Sequence, residues 1–295
     1  MTILDYHVEI EKLNNDFMNN PYFSALSIMT PRDQWLFIQK SAHNASETSE
    51  EARRRGITNV VVTEGETVLG YIRHTDLEKK SMDKVKRIQG CKIPEGMKLF
   101  QLVEVMVKDS RAIDQDDAPL YFITRERNER EDIIGILTFW DLNRAPSYVL
   151  TYSILAAIEQ TLLLKIRESH KEWRDHTETL RKIDTEELKR FDSIKKFVSG
   201  PEYDFGKLDE WDLKGLWAFY KHDPHIISKF DNSLEELIKI LISGTRNRVG
   251  HPVKFMIRDD GNFKDDLENL SKVWKDGKKF FSDFLNPKVR HKSRP

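Results

Sequence analysis

Apolar and polar positions follow two rhythms along this chain, and the rhythm changes near residue 146. Residues 1–21 space Ile3, Val8, Ile10 and Leu13 at loose helical intervals and predict a polar helical extension. From Phe23 short apolar runs take over. Ser27–Pro31 reads as a strand-like turn, Arg32 to about Ala42 as a helix, and Asn44–Arg55, with its glutamates and arginines, as a surface helix. The β-branched run Asn59–Thr63 predicts a buried strand, Glu64-Gly65-Glu66 a turn, Val68–Ile72 a second strand, and Thr75-Asp76-Leu77 the start of a helix.

The same order returns downstream. Leu99–Val107 predicts a helix or a strand followed by a helix, Pro119–Thr124 a strand, Arg125–Asp132 a charged hairpin loop, Ile133–Leu137 a strand, and Thr138–Leu142 the start of a helix. Aligning Gly70 with Gly135, and Asp76 with Asp141, gives an internal repeat of about 65 residues, as expected of two copies of one unit that bury their faces against each other.

Arg144-Ala145-Pro146 interrupts this pattern, and all that follows reads as helix. Tyr148–Ser169 is apolar around much of its surface, so it predicts a central helix, with Glu159 standing alone in the apolar run. Glu172–Val198 is a long charged helix with one narrow apolar stripe, ended by Ser199-Gly200-Pro201. Leu213–Tyr220 is a short aromatic-rich helix. Ser233 with Glu236 forms a capping box for a helix carrying Leu234, Leu237, Ile238 and Leu241, and Phe263–Phe284 is a final helix. The fold class expected is therefore an α+β pair over 22–145 (about 22–82 and 83–145), an all-α helical bundle over 146–290, and a basic tail, 291–295.

Composition narrows the function classes. With 39% hydrophobic and 33% charged residues the chain can build cores beneath charged helical surfaces, and a formal net charge of −1 leaves no bulk basicity for holding nucleic acid. Any RNA contact must come from a local patch such as Lys288, Arg290, Lys292 and Arg294. The single cysteine, Cys91, excludes an internal disulfide framework and a cysteine zinc cluster, and suits a reducing cytoplasm. The N-terminus has no apolar signal-peptide core, and the longest apolar stretch, Tyr148–Ile166, is broken by Glu159 and Gln160, so a buried helix is expected rather than a membrane span. His222, Asp223 and His225 cluster but make an incomplete ligand set, and no metal is expected.

Two stretches carry chemistry. The first is Ser243-Gly244-Thr245-Arg246-Asn247-Arg248-Val249-Gly250-His251-Pro252, which follows the apolar run Leu234–Ile242. Arginine fits phosphate oxygens with a fixed cationic fork, and histidine exchanges a proton near neutral pH. On a regular helix Arg246 and His251 would stand roughly 140° apart, so they need the bend that Gly250 and Pro252 suggest, or a second subunit. The same cations would also suit the C-terminal turn of a helix. Arg246-Asn247-Arg248-Val249-Gly250-His251 resembles the signature of HEPN domains. That resemblance implies an all-α, dimeric domain that cleaves RNA without metal. Arg246 and His251 would be the catalytic pair, Asn247 would orient them, and the ends left would be 2′,3′-cyclic phosphates. By analogy with such proteins it also implies a prokaryotic stress or phage-defence effector.

The second is the repeat. Gly135-Ile136-Leu137-Thr138-Phe139-Trp140-Asp141 resembles the closing motif of CBS domains, which occur in pairs. The resemblance implies an adenine nucleotide (AMP, ADP or ATP) as regulatory ligand, with Thr138 and Asp141 at the ribose and phosphate and the strand beginning Ala118, Pro119, Leu120 offering backbone groups to the base. The first copy, Gly70-Tyr71-Ile72-Arg73-His74-Thr75-Asp76, keeps Asp76 and has Arg73 where Ser or Thr belongs, placed to meet a phosphate. A helix-capping pair is the other reading of Thr138 and Asp141. The expectation is a nucleotide-regulated, cytoplasmic, homodimeric endoribonuclease; the alternative is a non-catalytic nucleotide sensor with a helical dimerisation domain.

Overall fold

The computed structural model of the chain describes residues 20–41, 44–79, 82–88, 91–111, 119–128, 130–169, 216–217, 232–241, 256–258 and 263–285. Its elements follow in the order α1 (Ala25–Ile28), β1 (Thr30–Pro31), β2 (Phe37–Gln39), α2 (Ala45–Arg54), β3 (Asn59–Glu64), β4 (Thr67–Arg73), α3 (His74–Glu78), β5 (Lys86–Arg87), β6 (Lys92–Pro94), α4 (Leu99–Ser110), β7 (Tyr121–Arg127), β8 (Arg130–Leu137), a 3₁₀ turn (Phe139–Asn143), α5 (Ala145–Ser169), α6 (Asn232–Ile240) and α7 (Phe263–Leu285).

A strand covered on both faces has no polar side, and Val60, Val61 and Val62 of β3 are all fully buried. Val60 and Val62 turn to one face, where they join Ile38, Ile72 and the helical residues Ala45, Ala52 and Leu77. Val61 turns to the other, with Trp35, Val68 and Tyr71, against Leu120 and Phe122 of the second copy. Burying a side chain of this size contributes roughly 1.5–3 kcal/mol, so the copies are held together by the same alternation that shapes each strand.

Each copy builds the same sheet. A short strand pairs in parallel with the first hairpin strand, β2 with β3 and β6 with β7, and each hairpin carries a register shift, at Val62/Thr63 and at Ile123/Thr124. The two sheets run β2-β3-β4-β5 and β1-β8-β7-β6. The fourth strands are exchanged. β5, which leads into the second copy, pairs with β4 at Gly70–Arg87, and β1, which leads into the first, pairs with β8 at Gly135–Pro31. Both aligned glycines therefore lie under a strand contributed by the other copy's leader. A Cβ on Gly70 would run into the backbone carbonyl of Lys86, and a Cβ on Gly135 into the Met29 side chain.

Two expectations are corrected. Arg32–Ala42 is not a helix: a 3₁₀ turn, Arg32–Gln34, leads into β2. Ile38 is buried between the more exposed Phe37 and Gln39, an alternation with period two that can pair along β3 and cannot form a helical stripe. Arg125–Asp132 is not an open loop, since β7 and β8 stay paired out to Arg127 and Arg130. Charge holds those ladder ends: Arg125 pairs with Glu95, and Lys92 with Glu131. The strand pair turns at Asn128, whose φ of 48° lies in the left-handed region that asparagine tolerates.

Residues 20–148 with 256–271 form one compact unit among the described residues; 149–169, 216–217, 232–241 and 272–285 belong to another. In the second, Leu150, Ile154, Leu155, Ile158 and Leu162 of α5 are buried, as are Leu237, Ile238, Val273 and Trp274, and the Trp274 indole N–H donates to Thr151 Oγ1 at 2.9 Å. Helix α6 begins at Asn232, one residue ahead of the Ser233 expected to cap it. No described helix is long and apolar enough to cross a membrane.

Candidate ligand sites at the two repeat motifs

The two aspartates occupy equivalent places, in the first turn after the hairpin, and their surroundings differ in charge and in satisfaction. In the second copy Asp141 is 13% exposed. Its Oδ2 accepts from the Thr138 backbone N–H at 2.6 Å and from the Thr138 hydroxyl at 3.1 Å, the arrangement of a helix cap. Its Oδ1 pairs with Arg144 Nη2 at 2.7 Å. Arg144 also donates through Nη1 to the Met29 carbonyl at 2.7 Å and through Nη2 to Thr30 Oγ1 at 2.6 Å. Burial pushes the Asp141 carboxyl upward, and Thr138 and Arg144 oppose that. A sugar diol seeking this carboxylate would have to displace Arg144.

In the first copy Arg73 takes the capping position of α3 without a capping bond from its side chain. Asp76, 20% exposed, accepts from Lys84 Nζ at 2.9 Å. That bond, with the fields of Lys84, Arg73 and Lys79, holds Asp76 below the usual carboxylate range. Lys86 stands on the exchanged strand β5, 5.9 Å over the Tyr71 ring. Partial burial, then the charge of Arg73, lowers its ammonium pKa, while Asp76 acts in the opposite direction. Arg73, Lys79, Lys84 and Lys86 are thus gathered around one carboxylate. A carboxylate accepts from paired hydroxyls, and clustered cations attract a polyanion.

Sequence reading singled out Arg73 and Asp76 but not Lys84, on the 3₁₀ turn Met82–Lys84, or Lys86, which arrives on β5 as it pairs into the first sheet. Leu120 is 2% exposed and packs in the core between the sheets with Tyr71. Ala118 lies outside the described residues, as do Arg246, Asn247 and His251, His222, Asp223 and His225, and the tail cations. No group of His, Cys, Asp and Glu able to hold a metal occurs among the described residues.

At the opposite end of the β3–β4 hairpin lies an open cavity of about 550 Å³ lined by Arg32, Trp35, Phe37, Gln39 and Thr63 among others. Arg32 lies 5.9 Å over the Trp35 ring, and the Gln39 amide exchanges hydrogen bonds with Gly65, at 3.2 Å to its carbonyl and 3.1 Å from its N–H.

No family model matches the chain, and no curated protein matches it. Solved structures similar to it include the CBS domain of the bacterial CNNM/CorC family Mg2+ transporter, at 16% identity and a TM-score of 0.33, covering 48% of this chain and 82% of that one. The same domain in complex with ATP is similar at 15% identity and 0.33, covering 47% and 91%. A conserved domain of unknown function from Neisseria meningitidis MC58 is similar at 17% identity and 0.31, covering 47% and 85%. With identities of 15–17% and TM-scores of 0.31–0.33, no ligand or partner passes from those proteins to this chain.

Proposed function

We propose that the unit built from the two repeats is a nucleotide sensor of the CBS type, and that its ligand, an adenine nucleotide, sits at the first copy. The observation that carries this reading is the Asp76 carboxylate set among Arg73, Lys79, Lys84 and Lys86. Asp76 would accept from the two ribose hydroxyls while the cations hold the phosphates, the arginine through its fork and the lysines as point charges. Thr138 and Asp141 offer the same residue types, already engaged with each other and with Arg144.

For the output we propose metal-independent RNA cleavage in a homodimer, supported by the spacing of Arg246, Asn247 and His251 in the sequence. The substrate's own 2′-hydroxyl would attack phosphorus as the bond to the 5′-oxygen breaks, leaving a 2′,3′-cyclic phosphate and a 5′-hydroxyl. His251 would move the proton, and Arg246 would stabilise the charge that develops on the phosphate. The second reading is a sensor whose helical region works by contact alone; the absence of surplus positive charge on the whole chain favours it.

Calorimetric titration with AMP, ADP and ATP separates the sites. Asp76→Ala should weaken binding by tenfold or more, about 1.4 kcal/mol, and Asp141→Ala should leave affinity nearly unchanged. Unaltered binding by Asp76→Ala refutes the first-copy site. RNA cleavage that persists in EDTA and disappears in His251→Ala supports the enzyme; no cleavage with any nucleotide bound leaves the contact mechanism.

A further inference from the structure

The 3₁₀ turn after the second hairpin has partners far away in sequence. Asn143 Nδ2 donates to the Ile257 carbonyl at 2.8 Å, and the Ile257 N–H donates back to Asn143 Oδ1 at 2.8 Å. One side chain thus reads both polar groups of one peptide residue, as a β-ladder would. Phe139 stacks on Phe263 with ring centroids 5.8 Å apart, and Trp140 stacks on the same ring at 6.5 Å. Met256, Ile257 and Phe263 are all buried. The segment is closed on itself as well: Asp266, 3% exposed, accepts from the Arg258 backbone N–H at 3.0 Å and from its guanidinium at 2.9 and 3.1 Å. Arg144, next in the chain, ties the same turn to Met29 and Thr30.

We infer that the two copies divide their labour: the first receives the ligand, and the second has become an anchor for the segment 256–271, which begins five residues after His251. This rests on the sensor reading for its ligand half and on the Asn143–Ile257 clasp for its anchor half. The residues that would serve a ligand at the second motif are committed instead to the joint. Asp141 caps the turn and holds Arg144; Arg144 fixes the leader strand; Asn143 and Phe139 fix the returning segment. The chain therefore binds one nucleotide rather than two. Residues 256–258, five to seven positions after His251 in the sequence, belong to the sensor unit.

Two measurements on the full chain test this. In the titration with ATP the expected stoichiometry is one per chain, with Asn143→Ala binding within about twofold of wild type. In amide hydrogen exchange, Asn143→Ala should speed exchange at Ile257 by tenfold or more, because its N–H loses the Asn143 acceptor, while the amides of β3 and β7 keep their protection. Asn143→Asp, which can still accept from that N–H, should restore most of the protection. Two ATP per chain, or loss of ATP binding in Asn143→Ala with the strands still protected, overturns the division of labour. Unchanged exchange at Ile257 overturns the anchor. No binding of any adenine nucleotide to wild type overturns the sensor reading and the ligand half with it, and the exchange data still decide the anchor.

Discussion

Gly70 and Gly135 hold equivalent places under exchanged strands, yet replacing each by alanine should cost very different amounts. At Gly70 the new methyl meets main chain only: the Lys86 carbonyl oxygen, its carbon at 2.9 Å and Arg87 Cα at 3.3 Å. Main chain cannot rotate aside, so either the sheet distorts or β5 leaves it. Overpacking of this kind costs about 1–3 kcal/mol. Losing the pairing of Gly70 with Arg87 and Tyr71 with Lys86 adds about 0.5–1.5 kcal/mol per hydrogen bond. The stiffer unfolded chain returns about 0.4–1 kcal/mol, which leaves a net loss of roughly 2–4 kcal/mol. At Gly135 the neighbours are the sulfur of Met29, its Cγ at 2.8 Å and its Cβ at 3.1 Å. A flexible side chain gives way for about 0.5–1.5 kcal/mol, so the net loss is about 0–1 kcal/mol. Thermal melts of the full chain followed by tryptophan fluorescence should show Gly70→Ala lowered by about 5–12 °C and Gly135→Ala by no more than about 3 °C. Met29→Ala should rescue what Gly135→Ala loses, and Lys86→Ala should rescue nothing in Gly70→Ala, since the offending atoms are backbone. Equal losses at the two glycines, or rescue by Lys86→Ala, would refute the exchanged-strand account of the repeat.

Two further expectations concern buried polar groups. Burial and the charge near Cys91 push the Tyr71 phenol up to about 12, and burial with Asp109, to which its hydroxyl donates at 2.8 Å, pushes Tyr121 further. A group whose folded pKa is raised stabilises fully below its unfolded value and loses that contribution as pH climbs through the folded one. Between pH of about 10 and 12, wild type should therefore lose about 1.4 kcal/mol per pH unit more than Tyr71→Phe in urea unfolding, and parallel curves would contradict it. The Thr63 hydroxyl is buried without a hydrogen-bond partner among the described residues, so Thr63→Val should be neutral or more stable by about 1 kcal/mol, and a loss of stability in the same assay would show a partner for it.

Much of the β-rich unit was legible from local pattern. The valine run of β3, the turn at Gly65, the glutamate-rich helix α2 and the helices α4 and α7 stand where periodicity placed them. The repeat was visible too, because Gly70 with Asp76 and Gly135 with Asp141 share one spacing. The helix expected at Arg32–Ala42 failed because three residues of β2 are too few to outvote a charged flank, and only the neighbouring β3 makes them a strand.

The candidate site divides along the same line. Sequence alone determined that each copy ends its hairpin with a glycine and places an aspartate six residues later. It ranked the second copy first, because Thr138 completes the motif there. Tertiary structure decided what surrounds each carboxylate. Arg144 closes on Asp141 while bonding Met29 and Thr30, 115 and 114 residues away, and Lys86 reaches the surroundings of Asp76 on a strand exchanged between the copies. Identical spacing specifies identical backbone, because backbone geometry is set by near neighbours. The charge around a side chain is set by whatever the fold brings within a few ångströms: Arg144 stands three residues from Asp141, but it is fixed there by Met29 and Thr30, more than a hundred residues away.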